Sequence, residues 1–288
     1  MTKDIKNLSE SIRVKLFNIS KKENIDFNLI ILRYLQESFL HRLSISKYKN
    51  NFLLKGGLLL ITIDIPKSRP TVDVDFLVRK LKNEPDIVRN IFVDILSLAV
   101  EDGVWFDIKS VNIKNITEDS NYKGIRVSFN GYIGKIKKQL KIDLGFGDYV
   151  YPRAREIEYP SIFCNKKTKL KAYCVETIIA EKFEAMISLS VINSRMKDFY
   201  DIYKILTTCD INKEDLKKAI ENTFKVRKTK LDLDSIVFNK EFYDSSDKNI
   251  QWNAFLRNND LNISLDFKHI VMFIKDYIFK LFFIENHN

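Results

Sequence analysis

The sequence has few of the residues that bind zinc or form disulfides. Cysteine and histidine each occur only three times among 288 residues. No two cysteines stand at a Cys-x-x-Cys spacing, and the histidines are distant from the cysteines along the chain. These absences argue against a zinc site and against a disulfide framework. The residues concerned are Cys164, Cys174, Cys209, His41, His269 and His287.

Long apolar runs are also missing. The start, Met1 to Asn7, is charged and has no apolar signal core. The late apolar stretch from Val271 to Ile284 is interrupted by Lys275, Asp276 and Lys280. We therefore expect neither a targeting segment nor a membrane-spanning helix, and a cytoplasmic location. The sequence also lacks internal repeats and low-complexity tracts.

Positive charge is what the chain has in excess. It carries 48 Lys and Arg against 38 Asp and Glu, a formal net charge of +10. This balance favours a nucleic-acid partner, because basic side chains neutralise phosphates. Two local clusters could follow an RNA backbone, although a solvated surface is the better interpretation of the second. The first is Lys135, Lys137, Lys138 and Lys141, and the second is Lys225, Arg227, Lys228 and Lys230.

The length exceeds that of a typical single core, so we predict two lobes. Residues 1–160 are assigned to N-terminal helices plus an α/β core, and residues 161–288 to a helical lobe. Ser9 is the predicted cap of the first helix, and Asp26 precedes the second. In the second lobe, Trp252 and the aromatic-rich segment Phe267 to Phe283 are predicted to pack the core rather than to stack bases.

The middle of the chain is predicted to alternate strands with a helix. The helix begins at Pro85 and extends to about Val100, with isoleucines at four-residue spacing. Strands are predicted at Trp105 to Ile108 and Ile125 to Phe129. Asn130-Gly131 then predicts a hairpin turn, because this dipeptide favours the backbone of a tight turn.

Two aspartates alternate with apolar residues in the segment Val72-Asp73-Val74-Asp75-Phe76. In a strand, Asp73 and Asp75 share one face. Paired carboxylates repel each other unless a cation lies between them, and hard oxygen ligands suit Mg²⁺ or Mn²⁺. The alternative is an amphipathic strand that carries two solvated acids.

A pair of glycines precedes these acids. Phe52-Leu53-Leu54 leads into Lys55-Gly56-Gly57 and then into the apolar segment Leu58 to Ile65. This pattern predicts strand, tight turn and helix, in which Gly56 and Gly57 bring backbone N–H groups close to a phosphate. The alternative is a plain turn or the close packing of two backbones.

A third carboxylate follows in Ile142-Asp143-Leu144. The alternation of apolar and polar residues places Asp143 on the polar face of another strand. If that strand neighbours the one with Asp75, three acids converge. Divalent ions held by such acids activate an attacking hydroxyl and neutralise charge on a phosphoryl group. Alone, Asp143 would be interpreted as a surface residue.

Three further residues are candidates on a predicted helical region. Lys182 lies beside the apolar stripe of a helix from Glu176 to Leu189, where its long side chain could snorkel out to a phosphate. Asp198 stands near the start of the next predicted helix, where a carboxylate can act as an ordinary N-terminal cap. Arg195, Lys197 and Asp201 could instead form salt bridges. For Asp198, Arg195, Lys197 and Asp201 we favour the structural interpretation, with Arg195 as a candidate phosphate contact.

The order of these motifs, Gly-Gly, Asp-x-Asp and a distant Asp, resembles the polymerase-beta-like nucleotidyltransferase superfamily. The chain more specifically resembles AbiEii/AbiGii-type toxin nucleotidyltransferases of abortive-infection and type IV toxin–antitoxin systems. Seven blocks in one order carry this resemblance over most of the chain. They are Ser11–Leu16, Arg33–Leu43, Phe52–Gly57, Arg69–Asp75, Ile142–Asp148, Glu176–Lys182 and Asn193–Asp201.

The resemblance implies magnesium-dependent transfer of a nucleotide from a nucleoside triphosphate to an acceptor, which in some relatives is the 3′ end of tRNA. It also implies a cognate antitoxin as a partner. By block, Lys55, Gly56 and Gly57 would bind the nucleotide, Asp73, Asp75 and Asp143 the metal, and Lys182 and Asp198 match later motifs. The superfamily usually has Ser at the position of Gly57, so the contact between the serine hydroxyl and phosphate must be replaced by a backbone N–H or lost.

We therefore predict an α/β (α+β) nucleotidyltransferase core with a mixed sheet, N-terminal helices and a C-terminal helical lobe, with the active site in a cleft between the lobes. In the predicted mechanism Asp143 assists the attacking oxygen and Lys182 offsets charge on the leaving pyrophosphate. Two alternatives stay open: a catalytically silent fold that binds RNA or an antitoxin, and transfer to a small hydroxylated molecule.

Overall fold

The computed structural model describes residues 3–63, 71–118, 122–163, 167–261 and 264–283. Cys164, His287, Arg69 and Pro70 lie outside these ranges, as do the last two residues of the predicted segment Leu58 to Ile65. The described residues of 1–62, 70–147 and 155–172 form one compact unit, and those of 63–69, 148–154 and 173–288 form a second. Within the described ranges, no helix combines the length and apolar character needed to cross a membrane.

The first unit is built around a mixed sheet. Its strands are β1 (Phe52–Lys55), β2 (Val74–Val78), β3 (Val104–Glu118), β4 (Tyr122–Ile133), β5 (Ile136–Phe146), β6 (Arg155–Tyr159) and β7 (Thr168–Ala172). In the described residues they form one seven-stranded sheet of order β3-β4-β5-β2-β1-β7-β6. The β2–β5 and β1–β7 pairs are parallel, and the other pairs are antiparallel.

Helices pack on one face of this sheet. They are α1 (Lys3–Glu23), α2 (Phe27–Ile45) and α4 (Pro85–Leu96), and a short helix α3 (Gly56–Leu60) follows β1. Phe39 of α2 lies at the centre, with ring centroids 5.7 Å from Phe92, 5.6 Å from Phe129 and 6.4 Å from Phe76. Burial of each such ring is worth about 1.5–3 kcal/mol. Because this core occupies one face, the alternate residues of the central strands lie on the other.

The second unit is helical. Its helices are α5 (Val175–Leu189), α6 (Met196–Thr208), α7 (Lys213–Arg227), α8 (Lys240–Tyr243), α9 (Ser246–Asn258) and α10 (Phe267–Phe283), with 3₁₀ turns at Ser190–Ile192 and Ile236–Phe238. Trp252 is 1 % exposed, and its ring centroid lies 5.5 Å from that of Phe267. The prediction that Trp252 and Phe267 pack a core is confirmed, although Phe279 and Phe283 at the end of α10 are exposed.

Several predictions from local sequence are confirmed. The fold is a mixed α/β fold with N-terminal and C-terminal helices. Asp26 caps α2 by accepting a hydrogen bond from the backbone N–H of Leu29 at 3.1 Å. Pro85 begins α4, which ends at Leu96 rather than near Val100. These features depend on residues close in sequence, which is why a pattern could predict them.

Two local predictions are wrong. Asn130-Gly131 lies inside β4, and the turn into β5 is formed by Gly134 and the residue after it. A Cβ at Gly131 would lie 2.9 Å from the Phe106 ring, so this glycine makes room for packing instead of forming a turn. Ser9 lies within α1, 1 % exposed, and donates to the carbonyl of Gly103 at 2.8 Å.

The sheet also extends further along the chain than the sequence predicts. Residues 168–172, assigned to the helical lobe, form β7, which pairs with β1 and β6 in the first unit. The division into lobes at residue 160 stays a prediction, since compactness does not show which segments fold independently.

Candidate functional site

Asp75 and Asp143 lie side by side on neighbouring strands. β2 runs parallel to β5, and Asp75 is the register partner of Asp143. Directly opposed residues of adjacent strands project from the same face of a sheet, so the two carboxylates are neighbours. Asp73 immediately precedes β2, two residues before Asp75. The strands therefore bring Asp75 and Asp143 together, with Asp73 at the start of β2.

Arg126 is a fourth member of this group, which the sequence reasoning missed. It is the register partner of Asp143 on β4. Its guanidinium donates two hydrogen bonds to the carboxylate of Asp143, at 2.7 and 2.6 Å. The signal was present, because Arg126 alternates with Ile125 and Val127 in a predicted strand and so shares the polar face. What was absent was the register that places it opposite Asp143.

The charge of Arg126 is stabilised by all three acids. The hydrogen bonds to Asp143 raise the pKa of Arg126 most; partial burial opposes this, and the negative charges of Asp143, Asp73 and Asp75 add to the increase. Asp143 binds Arg126 directly, and the charges of Asp73 and Asp75 act on the same guanidinium. A paired carboxylate cluster is stable only with such compensation, which reduces the repulsion between the acids.

In the ranges that the structure describes, no group of three or more His, Cys, Asp or Glu side chains is arranged to hold a metal ion. Both oxygens of Asp143 bind Arg126, which uses part of the acceptor capacity of this carboxylate. The donor set still has the chemistry of a hard cation site, since it consists of carboxylate oxygens. Each carboxylate oxygen has two lone pairs, so Asp143 could bind an ion only on the side that Arg126 leaves open.

Gly56 lies directly against Asp75. Lys55, the last residue of β1, is the register partner of Asp75, and the chain turns at Gly56 with φ of +67°. A Cβ at Gly56 would lie 2.7 Å from Cγ of Asp75 and 2.9 Å from its Cβ. Only glycine fits here, both for the positive φ and for the close approach. The glycine turn and the acid pair are therefore one structural unit.

The helix after this turn is shorter than predicted. α3 spans only the five residues Gly56–Leu60, and no side chain caps it. One turn and a half carries little of the dipole that attracts an anion to a longer helix. A phosphate-binding role for Gly56 and Gly57 stays a prediction that depends on their backbone N–H groups and on their position beside Asp75.

Replacing Gly56 with alanine should be markedly destabilising. The positive φ alone costs about 1–2 kcal/mol for a residue with a Cβ, and the contact with Asp75 adds to this cost. Gly147→Ala is the matched control, because Gly147 has φ of +91° but a Cβ there would meet nothing within 4 Å. Urea unfolding should show a larger loss for Gly56→Ala than for Gly147→Ala. Equal losses would mean that the contact with Asp75 is unimportant.

Lys182 and Asp198 lie in the second unit, in a buried ion cluster. The ammonium of Lys182 donates to Asp198 at 2.8 Å and to Asp201 at 2.7 Å. Arg195 forms an ion pair with the other oxygen of Asp198 at 2.6 Å. The side chain of Lys182 is only 10 % exposed, and those of the two aspartates at most 1 %. The salt-bridge interpretation is confirmed for Arg195 and Asp201, whereas the predicted snorkelling of Lys182 is not seen.

The capping interpretation of Asp198 is wrong. Arg195 is the N-terminal cap residue of α6, and Asp198 lies inside its first turn with its carboxylate committed to Lys182 and Arg195. The cluster pairs two cationic with two anionic side chains, so burial leaves little uncompensated charge. Whether Lys182, Arg195 and Asp198 act in the same site as Asp73, Asp75 and Asp143 stays a prediction.

Asp198 should make the stability of the protein fall as the solution becomes acid. Burial raises its pKa, but the positive charges of Lys182 and Arg195 outweigh this and hold the pKa below its ordinary value. A lowered folded-state pKa stabilises the folded protein above the ordinary value of about 4, and this stabilisation is lost as the pH falls towards the folded-state pKa. Asp198→Asn should therefore show less loss of stability than the wild type between about pH 5 and pH 3.

Urea unfolding at stepped pH measures this difference. Asp244→Asn, at an exposed aspartate of the same unit, is the control and should retain the wild-type slope. If Asp198→Asn also retained that slope, Asp198 would not be the titrating group.

The second basic cluster is not uniformly solvated. Arg227 lies among three acids, 3.2 Å from Asp148, 3.4 Å from Glu181 and 2.8 Å from Glu184, with only 21 % of its side chain exposed. The prediction of a solvated run is wrong for Arg227, because the fold brings these acids to the end of α7. The other members, Lys225, Lys228 and Lys230, are exposed.

A known protein family and two solved structures are similar to this chain. The family model described as "Nucleotidyl transferase AbiEii toxin, Type IV TA system" matches residues 38–272. The crystal structure of JHP933 from Helicobacter pylori is similar, with a TM-score of 0.51 and 13 % identity over 89 % of this chain and 92 % of that one. A second H. pylori structure, of a protein to which nucleotidyltransferase function is attributed, has a TM-score of 0.50 and 13 % identity over 89 % and 96 %. No curated protein matches the sequence.

Proposed function

The chain belongs to the AbiEii family of nucleotidyl transferase toxins of type IV toxin–antitoxin systems, and from this premise we propose that it transfers a nucleotide from a nucleoside triphosphate to a hydroxyl of RNA, such as the 3′ end of tRNA. The observation that carries the proposal is the register of Asp75 with Asp143 on adjacent parallel strands, with Gly56 against Asp75. The same family membership supports a cognate antitoxin as partner and the cytoplasm as the place of action.

The reaction is an in-line displacement. The acceptor oxygen attacks the α-phosphorus and gives its O–H proton to the carboxylate of Asp143 or to water, a new phosphodiester bond forms, and the bond to pyrophosphate breaks. Divalent metal, Mg²⁺ or Mn²⁺, would neutralise phosphate charge and lower the pKa of the acceptor hydroxyl. Asp73 and Asp75 would hold it, together with Asp143 on the side of that carboxylate that Arg126 leaves open. Asp143 would then also orient the acceptor oxygen.

The geometry limits what the remaining site residues can do. The backbone N–H groups of Gly56 and Gly57, with Lys55, would position the triphosphate. Lys182 donates to Asp198 and Asp201, and these two carboxylates reduce the positive charge that it could offer to pyrophosphate. Its ammonium also orients the two aspartates, and Arg195 does the same for Asp198.

One observation favours a second candidate, a catalytically silent fold that binds RNA or an antitoxin. Arg126 already compensates the charge of Asp143, and Gly57 lacks the hydroxyl that the superfamily usually has at this position. A fold in which Arg126 permanently replaced the metal would keep its shape without transferring nucleotides.

The labelling experiment distinguishes these candidates. The full chain is incubated with total RNA, Mg²⁺ and each nucleoside triphosphate in turn, radiolabelled at the α-phosphate. We expect label in RNA with at least one nucleotide, and its disappearance when a chelator is added. Label in no RNA under any of these conditions would overturn the transfer proposal and leave the binding fold.

A further inference from the structure

The side of the sheet opposite the core carries a continuous polar surface on β3, β4 and β5. Ile125, Val127, Phe129 and Ile133 of β4 are fully buried on the core side. The alternate residues of β4 and their register partners lie on the other side. We call this surface the polar sheet face; it consists of Arg126, Ser128, Asn130 and Tyr132 of β4, Lys137, Gln139, Lys141 and Asp143 of β5, and Trp105, Asp107, Asn112 and Lys114 of β3.

An aromatic pair lies at one end of this face. The rings of Trp105 and Tyr132 are stacked, with centroids 4.0 Å apart and planes at 4°. Trp105 is 39 % exposed, whereas the other tryptophan of the chain, Trp252, is 1 % exposed. A large aromatic pair outside the core loses the hydrophobic contribution it would make inside. On a polar surface it offers a π-face on which an unpaired base can stack.

Basic side chains lie along this face from the aromatic pair to the acids. Lys114 and Lys137 are exposed, and Lys141 is half-buried. Within the described part of the chain, none of these three lysines forms an ion pair or side-chain hydrogen bond. Asp107, the acid of the face nearest Trp105, accepts a hydrogen bond from the backbone N–H of Lys109 at 3.1 Å. The face between Asp107 and Asp143 is therefore basic, which suits a phosphate backbone.

The first basic cluster is divided by the strand. Lys137 and Lys141 lie on the polar sheet face, but Lys138 points to the helical side, where it donates to Asn28 of α2 at 2.8 Å. The prediction that Lys135, Lys137, Lys138 and Lys141 form one surface was therefore only partly right. The division follows from strand geometry, since successive side chains lie on opposite faces.

The face has the length of a short nucleic-acid segment. Arg126, beside the acids, and Tyr132, in the aromatic pair, are six residues apart on β4. At about 3.3 Å per residue this separation is about 20 Å, enough for several nucleotides. Stacking on exposed rings requires unpaired bases, because the bases of a duplex are already stacked on each other. The occupant that fits is thus single-stranded.

We propose that the polar sheet face binds the single-stranded end of an RNA acceptor. A base stacks on the Trp105–Tyr132 pair, Lys137, Lys141 and Lys114 contact the phosphates, and the strand leads towards Asp75 and Asp143. This inference names the acceptor-binding surface and so rests on the proposed function. It goes further by assigning recognition to residues outside the motifs that identify the family.

Fluorescence anisotropy tests the proposal with the full chain and a labelled single-stranded RNA of about 12 nucleotides and mixed sequence. Trp105→Ala should weaken binding about 5- to 150-fold, the effect of losing one stacked base. Trp105→Phe should retain most of the affinity because it keeps a ring. Lys137→Glu combined with Lys141→Glu should weaken binding and reduce the slope of log affinity against log salt by about 1.4, or two phosphate contacts.

The matched control is Lys49→Glu, at an exposed lysine in the turn after α2, and it should bind as the wild type does. Melting temperatures of all variants separate lost contacts from lost folding. Wild-type affinity in folded Trp105→Ala and in the double lysine variant would overturn the proposal, as would a preference for a duplex of the same length. Tighter binding of poly-glutamate than of RNA at these residues would also overturn it and indicate an acidic protein partner.

The outcome is separable from that of the labelling experiment. If the variants lose RNA binding but the wild type labels no RNA, the surface stands and the transfer proposal falls. If the wild type labels RNA and the variants show the same KM for RNA, transfer stands and the polar sheet face is not the acceptor site.

Discussion

Replacing Asp75 with asparagine should strongly slow nucleotide transfer while leaving the fold intact. Asparagine has almost the same shape, so its contact with the turn at Gly56 is retained. It removes one negative charge from a cluster of three carboxylates, which lowers their mutual repulsion. Several kcal/mol of transition-state stabilisation depend on the metal that Asp75 would bind, so we expect the rate to fall about 10²- to 10⁴-fold.

The measurement is the incorporation of α-phosphate label into RNA, with the melting temperature recorded for the same preparation. Asp94→Asn is the control, because Asp94 is a half-exposed carboxylate of α4 that pairs with Lys47, away from the register of β2 and β5. It should have wild-type activity. Full activity of Asp75→Asn at saturating Mg²⁺ would show that the acid pair does not bind the metal on which transfer depends.

The largest loss of stability should come from Asp102→Ala. Asp102 lies just before β3 and forms an ion pair with Arg42 of α2 at 2.8 Å, with side-chain exposures of 0 % and 3 %. It also accepts hydrogen bonds from Ser38 and from the backbone N–H of Val104. Removing the carboxylate leaves the guanidinium buried without its counter-ion, which costs about 3–5 kcal/mol.

Urea unfolding followed by circular dichroism measures this loss. The control is Glu10→Ala, which breaks the ion pair of Glu10 with Arg13 on the surface of α1. Such exposed pairs are screened by solvent, so no change in midpoint is expected. A loss below about 1 kcal/mol for Asp102→Ala would show that Arg42 finds other partners or water, and that this pair does not hold α2 to the start of β3.

The candidate acids were predictable because their signal is local. Alternation of apolar and acidic residues around Asp73, Asp75 and Asp143 reports which side of a strand each residue occupies, and this information lies within a few positions of the chain. The same is true of the cap at Asp26 and the proline that begins α4. Alternation does not report which strand lies beside which, so the pairing of Asp75 with Asp143 was a condition that only the sheet could meet.

The residues that sequence reasoning missed or misjudged are those with distant partners. Arg126 looked like an ordinary polar residue of a strand, and Arg227 like part of a solvated run. Lys182 looked exposed, although it is enclosed by two aspartates. Each of these side chains forms an ion pair with a residue 16 or more positions away in the sequence. The pairs are Arg126 with Asp143, Arg227 with Asp148 and Lys182 with Asp198. A charged side chain alone does not reveal whether water or a carboxylate will surround it.

Turn chemistry failed for a similar reason. Asn130-Gly131 has a strong preference for a tight turn, yet the ring of Phe106 on the neighbouring strand needs the space that a glycine leaves. Packing of β3 against β4 therefore overrides the local preference, and the turn forms a few residues later at Gly134. Local preferences are worth a few tenths of a kcal/mol to about 1 kcal/mol, less than the burial of an aromatic ring.

The sequence by itself determined the α/β class, the two acidic strands, the glycine turn and the family to which the chain belongs, because each is carried by short blocks within which the residues are neighbours in the chain. Only the tertiary structure decided that Asp75 stands beside Asp143, that Arg126 binds Asp143, and that Trp105 and Tyr132 are stacked on an open face. These contacts depend on strand order and register, which are set by packing between distant segments and leave no periodic trace in any one of them.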